Sequence, residues 1–145
     1  MSVVADFMLL DEISRYAVEY GADKDDEVFE HGDRQGWLTY TSDGQIVGMI
    51  NFHLETGTMG VFHPYVLRSH KDEYNGMVLE FFEWFCRVVP EQIVKLNVAI
   101  PTIFKGAVKA AIDVGMTFEG LDRQSYLSEF GPCDRIMLGI TREEM

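Results

Sequence analysis

The chain is short of cations. Twelve Lys and Arg stand against 24 Asp and Glu, a formal charge of −12 over 145 residues. Phosphate contacts need cations, so this balance argues against nucleic acid and anionic membrane surfaces as partners. It also repels an anionic cofactor unless local cations offset it. A basic protein partner is compatible with it, and solubility accounts for an acidic surface equally well. Cysteine is scarce: Cys86 and Cys133 are the two present, and neither lies in a metal-ligand spacing. Free thiols in a reducing compartment, the cytoplasm, are expected. Cys86 reads as buried on the apolar face of a helix. No apolar run approaches the length of a membrane span, and Met1-Ser2-Val3-Val4 carries no basic leader. Nucleophile elbow, Walker loop, dinucleotide fingerprint and zinc spacing are all missing, so no metal chemistry is indicated.

What is present is a core. Hydrophobic residues make up 47% of the chain, with ten Phe and two Trp, which excludes an acidic disordered tail. The length suits one compact domain over residues 1–145, and no internal break or repeat divides it. Asp6 to Tyr20 has helical spacing through Phe7, Leu10, Ile13 and Ala17, with Gly21 as a stop. Val28 to Glu30 reads as a short edge strand. Gly36 to Leu54 is a hairpin around Ser42-Asp43-Gly44, because glycine supplies the positive φ such turns need. Thr58 to Pro64 makes a third strand. A long helix is expected from Asp72 to Val89, with Met77, Phe81, Phe82, Phe85, Val88 and Val89 on one stripe and Pro90 as its stop. Ile93 to Ala99 reads as a strand, Pro101 or Thr102 to Val114 as a helix stopped by Gly115. A final strand pair starts at Met116 and at Arg135. The order implies a mixed, mostly antiparallel sheet flanked by helices in one α/β domain.

The junction between Thr58–Pro64 and the long helix is the first place to look for a site. Ligands of α/β proteins sit where strand C-termini face helix N-termini. His53 and His63 fall on neighbouring strands, where a structural histidine is commoner than a functional one. Glu55 is either a base or a solvated turn carboxylate. Arg68 would meet a phosphate or an acidic neighbour such as Glu73. Tyr74 and Tyr126 are acid donors or rim aromatics, and Trp84 falls off the main stripe as a partner contact.

The last third carries a family resemblance. Asn97-Val98-Ala99 ends a strand, a helix through Ala107 leads to Gly115-Met116, and Phe118-Glu119-Gly120-Leu121-Asp122-Arg123 follows. Gly131, Asp134 and Ile136-Met137-Leu138-Gly139-Ile140 close the series. This run resembles the C-terminal half of GNAT N-acetyltransferases of the ribosomal-protein type. Phe62-His63-Pro64-Tyr65-Val66-Leu67-Arg68 is similar to small phage-encoded GNAT-like proteins, some of which belong with virion head or internal-protein assembly. The resemblance implies a GNAT fold. It also implies acetyl-CoA beside the Thr58–Pro64 strand, with pyrophosphate on a glycine-containing loop at the helix N-terminus.

Under that resemblance the cofactor-binding candidates are Phe62, His63, Tyr65, Arg68, Lys71 and Gly76. Amides around Phe62 to Tyr65 would polarise the thioester carbonyl, with Glu55 or His63 as catalytic base. The pattern then breaks. Counted from Arg68, the two loop glycines fall on Lys71 and Glu73. The tyrosine acid of many relatives falls on Ala111, and the polar Asn before it on Phe104. Ala111 has no titratable group to protonate a leaving thiolate. Two readings stay open: an acyl-CoA-dependent N-acetyltransferase with an atypical loop, and a protein of impaired or absent activity that binds protein, in virion or head assembly. The substitutions lean to the second, in host cytoplasm or the virion. Acceptor, partner and oligomeric state stay open.

Overall fold

The computed structural model describes residues 35–145. The helix expected over 6–20 and the short strand over 28–30 lie outside the described residues. Six strands form one sheet in the order β1-β2-β3-β4-β6-β5. They are β1 (Gln35–Ser42), β2 (Gln45–Leu54), β3 (Met59–Val66), β4 (Lys95–Pro101), β5 (Thr117–Ser128) and β6 (Gly131–Thr141). Among the described residues the α-helices are α1 (Tyr74–Val88), entered through a 3-10 turn at Arg68–Glu73, and α2 (Lys105–Asp113). The mixed, mostly antiparallel α/β fold expected from the sequence is the one found: only β3 and β4 run parallel.

The β1–β2 hairpin closes through Asp43 and Gly44 at φ of 50° and 78°. Two consecutive positive φ values are what a two-residue turn needs to match strand twist. Alternation along the strands then sorts side chains onto two faces. Ile50 and Phe52 of β2, Phe62 of β3, Leu96, Val98 and Ile100 of β4, and Leu138 and Ile140 of β6 enter one core cluster with both helices. From α1 that core takes Met77, Val78, Phe81, Phe82 and Phe85; α2 adds Ala111, with Val114 just beyond its end. The aromatics meet by edges and tilts, as between Phe62 and Phe82 at 5.8 Å and 81°. Gly60 is small because the Phe52 ring crosses it: a Cβ there would come within 2.4 Å of the ring.

Several expectations are corrected at α1. Its α-helical turns begin at Tyr74, so Asp72 and Glu73 lie in the preceding 3-10 turn. Cys86 is exposed, not core. It follows Phe85 by one residue, about 100° around the helix, and its sulfur lies 3.7 Å from that of Met145. Val88 is 55% exposed, whereas Val89 turns inward as the backbone leaves the helix for extended geometry. Trp84, expected as an exposed contact, stacks on Phe81 at 5.8 Å and packs against the core. β5 runs on to Ser128, because the polar stretch after Gly120 stays paired to β6 across two irregularities.

Candidate active site at the parting of β3 and β4

β3 and β4 pair over only three positions, Met59 with Lys95, Gly60 with Leu96 and Val61 with Asn97. Beyond them β3 runs on to Val66 and β4 to Pro101, so the strands part and leave a cleft in the middle of the sheet. Leu67 donates its N–H to the Val47 carbonyl. By antiparallel alternation, Tyr65 and His63 also turn their polar backbone to β2, and Phe62, Pro64 and Val66 turn theirs to the cleft. Pro64 has no N–H to waste there, which is why a proline is tolerated inside the sheet. The Val61–Asn97 pairing takes up the Phe62 N–H, so toward the cleft β3 offers carbonyls and, of its N–H groups, that of Val66. Among the described residues no strand pairs with that edge.

The face opposite the helices carries the polar groups. His53 and His63 stack with ring centroids 6.1 Å apart. His53 Nε2 lies 3.3 Å from a Glu55 carboxylate oxygen, so Glu55 is engaged by an imidazole as well as by solvent. His63 is held down to about 4, first by burial, then by His53 and by Arg135. It is therefore neutral at pH 7 and can accept a hydrogen bond, but it is a weak base. Arg135, on β6 across the cleft, is fixed by Asp122 at 2.8 Å and by the Ser125 hydroxyl at 2.9 Å. Burial, with Tyr126 nearby, pushes the Tyr65 hydroxyl well above its usual value. Tyr65 also stacks on Trp37 at 6.4 Å. Arg135, an important neighbour of His63, was missed by sequence reasoning. It lies 72 positions from His63, and no local spacing points to it.

The structure thus gathers His53, Glu55, His63 and Tyr65 along β2 and β3, with Arg135 and Tyr126 opposite. Arg68, Lys71 and Gly76 sit elsewhere, at the helix-side end of the cleft. Arg68 and Lys71 are exposed in the 3-10 turn, and Gly76 is exposed in the first turn of α1. Tyr74 is packed against the core, and burial raises its hydroxyl. Ala111 is buried core, and Phe104 sets an edge on Tyr126 at 6.1 Å.

A pyrophosphate fits the turn poorly. His70 N–H bonds to the Leu67 carbonyl and Tyr74 N–H to that of Lys71, so these amides are spent inside the turn. His70 is engaged by the Ser69 hydroxyl at 2.8 Å and lies 3.9 Å from Glu73. Lys71 and Glu73 carry side chains where a cradle needs bare backbone. A Cβ at Gly76 would meet nothing within 4 Å, so that glycine makes no close approach within the fold. A CoA thioester would meet the parted edge of β3 at one end and, at the other, a turn whose His70 and Tyr74 amides are already bonded.

No protein-family model matches the chain, and no curated protein matches its sequence. Solved structures match its shape. A spermidine N-acetyltransferase from Vibrio cholerae, in complex with CoA and spermine, superposes at TM-score 0.70 with 10% identity, over 77% of this chain and 68% of that one. The ribosomal-protein-S18-alanine N-acetyltransferase of Escherichia coli gives TM-score 0.66 and 11% identity, over 77% and 71%. A chimera of the Vibrio cholerae spermidine enzyme gives 0.71 and 10%, over 78% and 72%. At such identities the likeness is one of fold, and the fold is that of the GNAT acetyltransferases.

Proposed function

We propose that this chain is a GNAT-fold protein with impaired or absent acetyltransferase activity that acts by binding protein. The observation that carries the reading is the 3-10 turn Arg68–Glu73. The His70 and Tyr74 amides bond to carbonyls of the turn, and Glu73 stands beside the helix end where a cofactor's phosphates would lie. Two like charges ~4 Å apart cost roughly 4 kcal/mol at an effective dielectric near 20. Phe104 and Ala111, apolar where relatives carry polar groups, support the same reading. The run Phe62 to Arg68 resembles phage-encoded GNAT-like proteins, and by that likeness the role is one in virion or head assembly, in host cytoplasm or in the particle. The charge of −12 suits a basic partner surface.

A second reading is favoured by one observation, the neutral His63 beside Arg135 and the His53–Glu55 pair at the cleft. It is an acyl-CoA-dependent N-acyltransferase in which the parted edge of β3, up to Val66, takes acetyl-CoA and Glu55, through His53, accepts the amine proton. The acidic surface then suits a cationic amine.

Calorimetric titration of the folded protein with acetyl-CoA, with coenzyme A as comparison, separates the two. Absence of heat at high ligand concentration, with capture of a protein partner in a pull-down, is the expected result. Saturable micromolar binding followed by acetylation of an amine would overturn it.

A further inference from the structure

Among the described residues β5 is the last strand of the sheet, and neither α1 nor α2 covers its core-side face. Antiparallel partners point to the same side of a sheet. Phe118 pairs with Leu138 and Leu121 with Ile136, both β6 residues that face the helices. Leu127 pairs with Pro132, which has the same parity. These three side chains therefore line one face, yet they are 57%, 54% and 44% exposed. Phe130, at the turn just beyond, is 86% exposed. Their β6 partners lie two and four residues apart, so the stripe runs about 20 Å at about 3.4 Å per residue.

Together these groups expose on the order of 450 Å² of apolar surface. That is near the upper range for the largest patch on a monomer. It is also about three-fifths of the roughly 800 Å² each partner gives to a stable interface, close to the usual apolar share of one.

Charge decides what can cover it. Copies of a chain at −12 repel one another over most of their surface. On β5 the acids are neutralised within the fold. Glu119 pairs with Lys95 at 2.6 Å and Asp122 with Arg135 at 2.8 Å. Arg123 adds a cation on the same strand. Glu129, exposed beside Phe130, is the acid nearest the patch, so repulsion of a second copy is confined to that end of the strand. We infer that the chain forms a two-fold homodimer by packing the Phe118–Leu121–Leu127 face of β5 against the same face of a second copy. An isologous contact is self-complementary by symmetry. Strand-to-strand hydrogen bonding is not its basis. β5 is interrupted at Glu119 and between Asp122 and Tyr126, where Gln124 has φ of 52°. Such bulges spoil an edge for pairing. The inference holds whether or not the cleft binds a thioester.

Sedimentation velocity on the full chain tests it. The expected result is a concentration-dependent species of twice the chain mass at micromolar protein. Leu121→Lys and, separately, Phe118→Glu each return it to the monomer. Leu79→Lys, on the exposed side of α1 and 48% exposed in the native chain, leaves the dimer intact. Circular dichroism establishes that each variant is folded. A chain that stays monomeric throughout the concentration range, including one that recruits a different protein to β5, overturns the inference. A dimer indifferent to both β5 substitutions overturns it too.

Discussion

The two ends of α1 are built in opposite ways. At the C-terminal end the guanidinium of Arg142 reaches the carbonyls of Phe85, Cys86, Val89, Pro90 and Ile93, with the shortest contact 2.9 Å to Ile93. It also lies over the Phe85 ring, 4.6 Å from its centroid. One cation thereby satisfies carbonyls that a helix end leaves orphaned, and its charge suits the dipole there. The N-terminal end has no side-chain cap. Its approach is a 3-10 turn with a kink at His70 and exposed charges at Lys71 and Asp72. In a GNAT fold that end is where a cofactor's phosphates are expected. Here the polar investment lies at the end remote from the cleft, and at the cleft end the His70 and Tyr74 amides bond to carbonyls of the turn. The helix is anchored by a side chain at its C-terminal end and carries no side-chain cap at the other.

The sharpest way to break this contrast is to remove the anchor. Arg142→Met keeps the stem and deletes the charge. It should cost about 4 kcal/mol in urea unfolding, from two or more charge-assisted bonds and a cation–π contact. A loss below about 1 kcal/mol would mean the carbonyls find water instead.

The cleft end is probed next through His63. Its folded pKa of about 4 lies below the ordinary 6.5, so the unfolded chain binds the proton first. Its contribution is full above pH 6.5, is lost as pH falls toward 4, and changes no further below that. The loss amounts to up to about 3 kcal/mol. His63→Gln should flatten that part of the stability–pH curve relative to the native chain, with carboxylate titration common to both. Equal slopes would contradict a neutral, desolvated His63.

Smaller effects sharpen the comparison. Lys71→Gly with Glu73→Gly removes one cation, one anion and two side chains from the turn, and the bared backbone should raise acetyl-CoA affinity by roughly ten-fold. If these residues instead hold a working site, affinity falls. Gly76→Ala puts a methyl into open space on a helix and should stabilise by about 0.5–1 kcal/mol, read as a raised urea midpoint.

Much of the fold was legible because periodicity and stop signals agreed. The Asp43-Gly44 turn, the Phe stripe of α1 and the Gly115 stop each lie where local chemistry puts them. What escaped was set at long range. Arg135 and Asp134 of β6 hold Asp122 to Ser125 as a bulge within β5, and no local spacing marks those contacts. Cys86 was misplaced because a broad apolar stripe does not reveal which flank meets the sheet. The parting of β3 from β4 was likewise invisible, since strand pairing ends for reasons of twist and neighbours. His53 and Glu55 were visible as residues, but their 3.3 Å contact was not. Arg135 as a neighbour of His63 required the whole sheet order.

The most direct test compares acetyl-CoA with S-acetylpantetheine, the same thioester without its nucleotide and diphosphate, by calorimetry on the native chain. The closed turn predicts that the phosphates add nothing: the two ligands bind equally weakly, or neither binds. Saturable micromolar binding of acetyl-CoA with no binding of the fragment would show that the Arg68–Glu73 turn holds the phosphates, and would contradict the account.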